Sequence, residues 1–318
     1  MLDIIIPVYN NPLGLIKTLM SIGIEPLPIQ VTIVDDGSTE NYSPTIGLFS
    51  SFMQVRLLRL EENHGPGYAR QYGLLHTKEP YILFFDCGDI FYNPLALKQV
   101  IQTLQANPDK FFYEWHHIYE YWKDNFKNIL NDTFHGKVYA RKFFTSYHLN
   151  LPHVDSYMNE DIAFNKIARL FVPDGMYLQV EEPLLIRLYD ENSLTAKDQH
   201  HGYYTGGVSL VKNIEPMFEQ AKNGAIIFTE VVFVIMVHLY ILSLEIQIRE
   251  RDCLEEHMKY AAYYYNHWFI KYYNDESEKL FNEVYARMIS EAFEEKSPIT
   301  EKPIEININK FFEQLTSN

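Results

Sequence analysis

Strand-length apolar runs alternate with helix-like segments through the first third of the chain. The runs cover residues 2–6, 30–34, 55–60 and 81–85. Between them, residues 13–22, 44–52 and 66–76 have helical length and spacing. Residues 94–105 follow, opening on a proline where a first helical turn accepts one. Such alternation predicts α/β architecture, a mainly parallel sheet with helices on both faces. The pattern changes over residues 111–115 and 137–139, which read as strands of a different part of the sheet. After about Gly206 it turns helical, near 208–222, 226–249, 253–273 and 276–293, with Gly224 and Asn274 as punctuation. The expectation is an α/β domain over 1–205 and a helical domain over 206–318.

Two helical stretches invite a second interpretation. The most apolar, 225–244, contains Glu230 and His238, and its uninterrupted part, 231–237, is too short to span a bilayer. A buried helix is expected, and no transmembrane segment. The third helical stretch carries Tyr260, Tyr263, Tyr264, Tyr265, Trp268 and Phe269 in steps of three and four, which suits helix packing before a sugar-binding face.

Composition narrows the classes. At 318 residues the chain holds one large domain or two modest ones. Its 24 Tyr and 21 Phe are read first as core. A net charge of −15 argues against a broad nucleic-acid footprint. The exception is a local basic stretch: Lys110, His116, His117, Lys123, Lys127, His135, Lys137, Arg141 and Lys142. It reads equally as a solvated surface or as an acceptor-binding face. Two cysteines, Cys87 and Cys253, make no disulfide framework. With no signal-peptide pattern at the start, a reducing, cytoplasmic setting is expected.

Candidate chemistry sits where strands end. Val31-Thr32-Ile33-Val34 delivers Asp35 and Asp36 into a Gly-Ser-Thr turn, at the carboxyl end of a strand, where open α/β sheets bind ligands. Asp35 offers a carboxylate that can accept a nucleobase N–H. Pro7-Val8-Tyr9-Asn10 places a ring beside a turn, unless Tyr9 is core. Gly65-Pro66-Gly67 opens a helix bearing Arg70, and helix amino termini favour anions. A dinucleotide fingerprint fits poorly, because Arg70 stands where its third glycine belongs. Arg70 is otherwise a surface helix residue. Asp86-Cys87-Gly88-Asp89 supplies hard oxygen ligands suited to Mg²⁺ or Mn²⁺, or forms a turn without metal. Asn159-Glu160-Asp161 opens an apolar-periodic helix and also makes a plain amino-terminal cap.

In this order the motifs over about residues 1–195 resemble the family 2 glycosyltransferases, inverting enzymes of the GT-A fold that use nucleotide sugars. The resemblance implies a nucleotide-sugar pocket built from Pro7, Tyr9, Asp35, Asp36, Gly67, Arg70 and Asp86, with a UDP-sugar as the favoured donor. It implies a divalent cation, Mn²⁺ or Mg²⁺, on Asp89 and Asp86, although Gly88 stands where the family has Asp. Asp161 would be the general base, and Arg70 would help stabilise the departing diphosphate. His135-Gly136-Lys137-Val138-Tyr139 looks like the family's acceptor-side strand. The acceptor would be a saccharide or another hydroxyl compound. Two alternatives stay open: glycosylation of a nucleic-acid base through the basic stretch, and donor binding without turnover.

Overall fold

The computed structural model describes residues 2–23, 26–122, 125–130, 133–151, 160–189, 212–213, 225–294 and 307–316. The chain divides into two compact units, Met1–Glu191 and Asn192–Asn318. The domain boundary expected at 205/206, Lys123, Asn159 and nearly all of the helix expected near 208–222 lie outside the described residues.

In the first unit β1 (Leu2–Val8) pairs in parallel with β2 (Ile29–Asp35), and β2 with β3 (Val55–Arg59). On its other side β1 pairs in parallel with β4 (Tyr81–Phe84). The intervening helices are α1 (Pro12–Ile22), α2 (Ser43–Phe49) and α3 (Pro66–Leu75). Beyond β4 the sheet becomes mixed. The short β5 (Ile90–Phe91) precedes helix α4 (Ala96–Ala106), and β6 (Phe112–Trp122) forms a hairpin with β7 (Asn125–Ile129). Strand β8 (Lys137–Ala140) runs antiparallel to both β4 and β6. After α5 (Arg141–Tyr147) and α6 (Glu160–Leu170), β9 (Tyr177–Arg187) lies parallel to β6 and antiparallel to β5. The sheet order is β3-β2-β1-β4-β8-β6-β9-β5. The parallel part is where helices cross between neighbouring strands; the mixed part begins where the chain returns through β8.

The two-residue period of the strands sorts the core. Leu2, Ile4, Ile6 and Val8 face a cluster with Leu15 and Leu19 of α1 and Leu97 and Val100 of α4. Burying each such side chain contributes about 1.5–3 kcal/mol. The opposite face meets α3. A Cβ on Gly73 would lie 3.1 Å from Val34 Cγ2 and closer still to Ile5, so glycine lets the helix sit against β1 and β2. Helices thus cover both faces, as the alternation predicts.

The second unit is helical. Its central helix α7 (Ala225–Arg249) packs on α8 (Leu254–Tyr264) and α9 (Glu278–Glu294). The stretch Thr229–Ile248 is long and apolar enough to cross a membrane by length and composition, yet 78% of it is buried within the unit. Phe233 meets the rings of Phe269 and Phe281, and the Tyr264 hydroxyl donates to the Val232 carbonyl. Tyr264 and Phe269 of the aromatic stretch are therefore core, whereas Tyr263 is exposed. After α8 the helix widens into a π turn over Tyr265–Phe269. A further helix, α10 (Ile308–Thr316), was not expected from the pattern and buries Phe311 and Leu315.

Candidate active site

Because β1 to β4 are parallel, their carboxyl ends share one edge of the sheet. Antiparallel pairing of Leu83 with Val138 brings the amino end of β8 to that edge. The loop after β4 is closed by Asp89 N–H donating to the Asp86 carbonyl (3.2 Å). Thr18 of α1 clamps it: its hydroxyl donates to the Asp89 carbonyl (2.8 Å) and accepts from Gly88 N–H (2.9 Å). Gly88 has φ +110°, a conformation that favours glycine, and through it the chain delivers its second carboxylate one residue later than an Asp-x-Asp spacing would.

His135 completes the cluster. It precedes Gly136, whose φ of +71° lets the chain pass against the Trp115 carbonyl. His135 Nε2 lies 3.1 Å from Asp89 Oδ2 and 3.4 Å from Asp86 Oδ2, and one ligand atom from each of the three residues falls within 4.8 Å of the others. Its Nδ1 pairs with Thr133 Oγ1 at 2.7 Å. Nε2 and Asp89 Oδ2 are buried without a properly formed hydrogen bond. A buried pair of this kind needs an explanation. Two carboxylates and an imidazole with its other nitrogen held by a partner fit a divalent cation. Burial disfavours charge at all three residues. Even so, the facing carboxylates raise the pKa of His135, and Arg70 with His135 holds Asp86 well below the usual carboxylate range. Burial raises Asp89.

Arg70 links this cluster to α6. The side chain is 5% exposed, and its guanidinium lies over the Phe134 ring. Nη2 donates to Asp86 Oδ1 and Nη1 to Glu160 Oε1, each at 2.5 Å. Both terminal nitrogens of Arg70, the residue expected at the departing diphosphate, are thus held by carboxylates in a buried bridge. Glu160 is pushed up to about 7 by burial, against the pull of Arg70. Its neighbour Asp161 is half-buried. Asp161 Oδ1 accepts from Ile162 N–H, while Oδ2 has no hydrogen-bond partner among the described residues. Helix α6 is anchored by Tyr139 donating to Asn165 and by Arg169 forking onto Glu114 at 2.8 and 2.9 Å.

At the other strand ends, Asp35 is fully buried; its Oδ1 accepts from Ser38 N–H, and Oδ2 lies 3.3 Å from Arg59 Nη1. Asp36, also expected in the nucleotide pocket, is buried. Its two oxygens accept from His64 N–H (2.9 Å) and Gly65 N–H (2.8 Å), pinning the loop before α3. Tyr9 is 50% exposed and so is not core. Pro7 is half-buried beside Val34, and Gly67 is buried in the first turn of α3. The basic stretch divides: His117, His135 and Lys137 are buried, Lys110, His116 and Arg141 half-buried, and Lys127 and Lys142 exposed. Lys137 pairs with Glu114, Arg141 with Asp3, and Lys110 and Lys142 donate to backbone carbonyls. His117 is fully buried.

Sequence reasoning placed His135 only in the basic stretch and the acceptor-side strand. Its ligand geometry depends on the β4–β8 register, and no local spacing encodes that. The Arg70–Glu160 bridge, across 90 positions, was likewise invisible.

The model of glycosyl transferase family 2 matches residues 3–161, half of the chain. An uncharacterised glycosyltransferase of Rickettsia felis is 33% identical over 91 residues, 28% of this chain; the match spans only 15% of that relative's length. Among solved structures, Staphylococcus aureus TarS residues 1–349 in complex with UDP-GlcNAc aligns with a TM-score of 0.63 at 14% identity, over 93% of this chain and 92% of that one. The mannosyltransferase PcManGT from Pyrobaculum calidifontis, in complex with GDP-Man and Mn²⁺, aligns with a TM-score of 0.51 at 12% identity, over 99% and 86%. At these identities the structural likeness establishes a common fold, GT-A.

Proposed function

Because the chain belongs to glycosyl transferase family 2, we propose that it moves a sugar from a nucleoside-diphosphate sugar, UDP-linked in the first instance, to an acceptor hydroxyl with inversion. The observation that carries this reading is the convergence of Asp86, Asp89 and His135 at the edge where β1, β2 and β4 end, bridged through Arg70 to the helix bearing Asp161. The UDP-GlcNAc and GDP-Man bound by the two neighbours, and the Mn²⁺ of one, lend support.

Asp86, Asp89 and His135 would hold Mn²⁺ or Mg²⁺, which when bound neutralises charge on the leaving diphosphate. Asp161 Oδ2 takes the acceptor hydroxyl proton as that oxygen attacks the anomeric carbon, and the electron pair of the broken bond leaves with the diphosphate. Base help of this kind contributes about 10²–10⁴-fold. Arg70 and Glu160 hold Asp161 in register with Asp86. Asp35 receives a nucleobase N–H, with Pro7 and Tyr9 beside the base, and Gly67 lets the backbone approach the phosphates.

The net charge of −15, and the burial of His117, His135 and Lys137 from the basic stretch, weigh against a nucleic-acid acceptor, and a saccharide or other hydroxyl compound is preferred. The glycine turn that still brings two carboxylates together weighs against donor binding without turnover. Among the described residues Cys87 and Cys253 form no disulfide, which suits a reducing, cytoplasmic setting.

Nucleotide sugars screened by thermal shift with and without Mn²⁺ should give a cation-dependent rise for one donor. Asp161→Asn should then lower turnover by about two to four orders of magnitude with unchanged Tm and donor affinity. Asn caps a helix as well as Asp, so full activity in that variant would reduce Asp161 to a cap.

A further inference from the structure

Beside the Asp86–Asp89–His135 cluster stands a basic side chain that the reading above does not use. Arg187 ends β9. Its parallel pairing sets it opposite Tyr119 of β6, and its neighbour Ile186 stands opposite Ile90 of β5. Continuing the β5 register by one residue brings Arg187 toward Asp89. Its guanidinium lies over the Tyr119 ring, 4.8 Å from the centroid. Among the described residues it makes no hydrogen bond or ion pair.

Other cations near the strand ends are engaged. Arg70 is held by Asp86 and Glu160, Lys137 by Glu114, and Arg59 by Asp35 and the Ser38 carbonyl. Arg187 alone of this group keeps its N–H donors free, and a ring face limits its freedom. A guanidinium presents five donors in a planar fork that matches phosphate oxygens, and stacking on an aromatic ring pre-organises it. A carboxylate partner would have closed on it; the cluster instead leaves it open next to the place proposed for the cation.

We propose that Arg187 binds the diphosphate of the donor and of the departing nucleotide, the part expected of Arg70 from the sequence. This rests on the glycosyltransferase reading. It makes Arg187 a binding residue for phosphate oxygens, and it divides the two arginines: Arg70 positions, Arg187 holds the leaving group.

Inorganic pyrophosphate tests this without reference to base or sugar. Titration calorimetry of the full chain with Mn²⁺ present should show Arg187→Ala binding pyrophosphate, and UDP, about ten- to a hundredfold more weakly than wild type. Arg187→Lys, which keeps the charge without the fork, should fall between them. Mn²⁺ affinity, followed separately by electron paramagnetic resonance, should be unchanged in both variants. Equal pyrophosphate affinity in wild type and Arg187→Ala would overturn the assignment and leave the transferase reading standing. Loss of Mn²⁺ binding in the variants would also overturn it, since Arg187 would then act only through the cation site. A wild-type chain that binds neither UDP nor pyrophosphate with Mn²⁺ would remove the transferase reading itself.

Discussion

Two strand ends of this sheet carry adjacent or near-adjacent carboxylates, and the fold uses them differently. After β2, Asp36 is closed by backbone N–H groups from the loop before α3, and Asp35 is covered by the Ser38 turn and Arg59. After β4, Asp86 and Asp89 face side chains: a guanidinium on one side and an imidazole on the other. The difference comes from what lies next in the sheet. The β2 end is flanked by parallel strands, whose following loops offer backbone donors. The β4 end is flanked by antiparallel β8, whose entry loop offers His135. Two acidic strand ends that look alike in sequence therefore differ in their partners: backbone N–H groups and one arginine at β2, an arginine and a histidine side chain at β4.

The largest test of that division is Asp89→Ala. It should raise the Kd for UDP in the presence of Mn²⁺ by more than about a hundredfold, beyond what loss of an outer partner of a metal ligand costs. Asp35→Ala should weaken nucleotide binding while leaving its Mn²⁺ dependence in place. Titrations with and without the cation separate the two. If Asp89→Ala bound UDP with normal Mn²⁺ dependence, the β4 end would not be the cation centre.

Asp36→Ala should act on stability instead. It strips two hydrogen bonds from a buried carboxylate and should cost about 2–3 kcal/mol, read as a shift in the urea midpoint, with Mn²⁺ affinity unchanged. A variant of normal stability that had lost nucleotide binding would make Asp36 a ligand and erase the contrast.

The smallest effect concerns pH. Glu160 is raised from 4.5 to about 7 in the folded chain, with burial the leading cause. The folded state thus holds this proton more tightly than the unfolded one. The resulting stability is present in full below about pH 4.5 and is lost as pH rises through about 7. Glu160→Gln, which mimics the protonated side chain, should lose less stability than wild type across that window. Parallel Tm-against-pH curves would show that Glu160 does not titrate there.

Much of the fold was legible because each β–α step in the first 106 residues writes its period locally: apolar runs, prolines at helix starts, glycines at turns. The placement of Asp35, Asp86 and Asp89 at strand ends was legible because Asp and Gly close a strand-length apolar run, and such ends of an open sheet form a ligand edge. Gly88 looked like damage to a metal motif. Its positive φ makes the turn that carries Asp89 to the His135 imidazole beside Asp86. The basic stretch reads equally as surface or acceptor face when charge is counted without partners. Glu114, buried on β6 beside β8, gathers Lys137, Arg169 and the Tyr177 hydroxyl into one network.

The sequence by itself determined the helices and parallel strands, the family, and the acidic strand ends, since these follow from short-range periodicity and from residues that act where they stand. Only the tertiary structure decided which carboxylates meet backbone N–H groups and which meet side chains, that His135 joins Asp86 and Asp89, that Arg70 is a bridge to Glu160, and that Arg187 makes no hydrogen bond or ion pair among the described residues. Each of those outcomes depends on which side chains a long-range strand register brings within a few ångströms, because the pairing energy of a charge falls off with distance and depends on its burial.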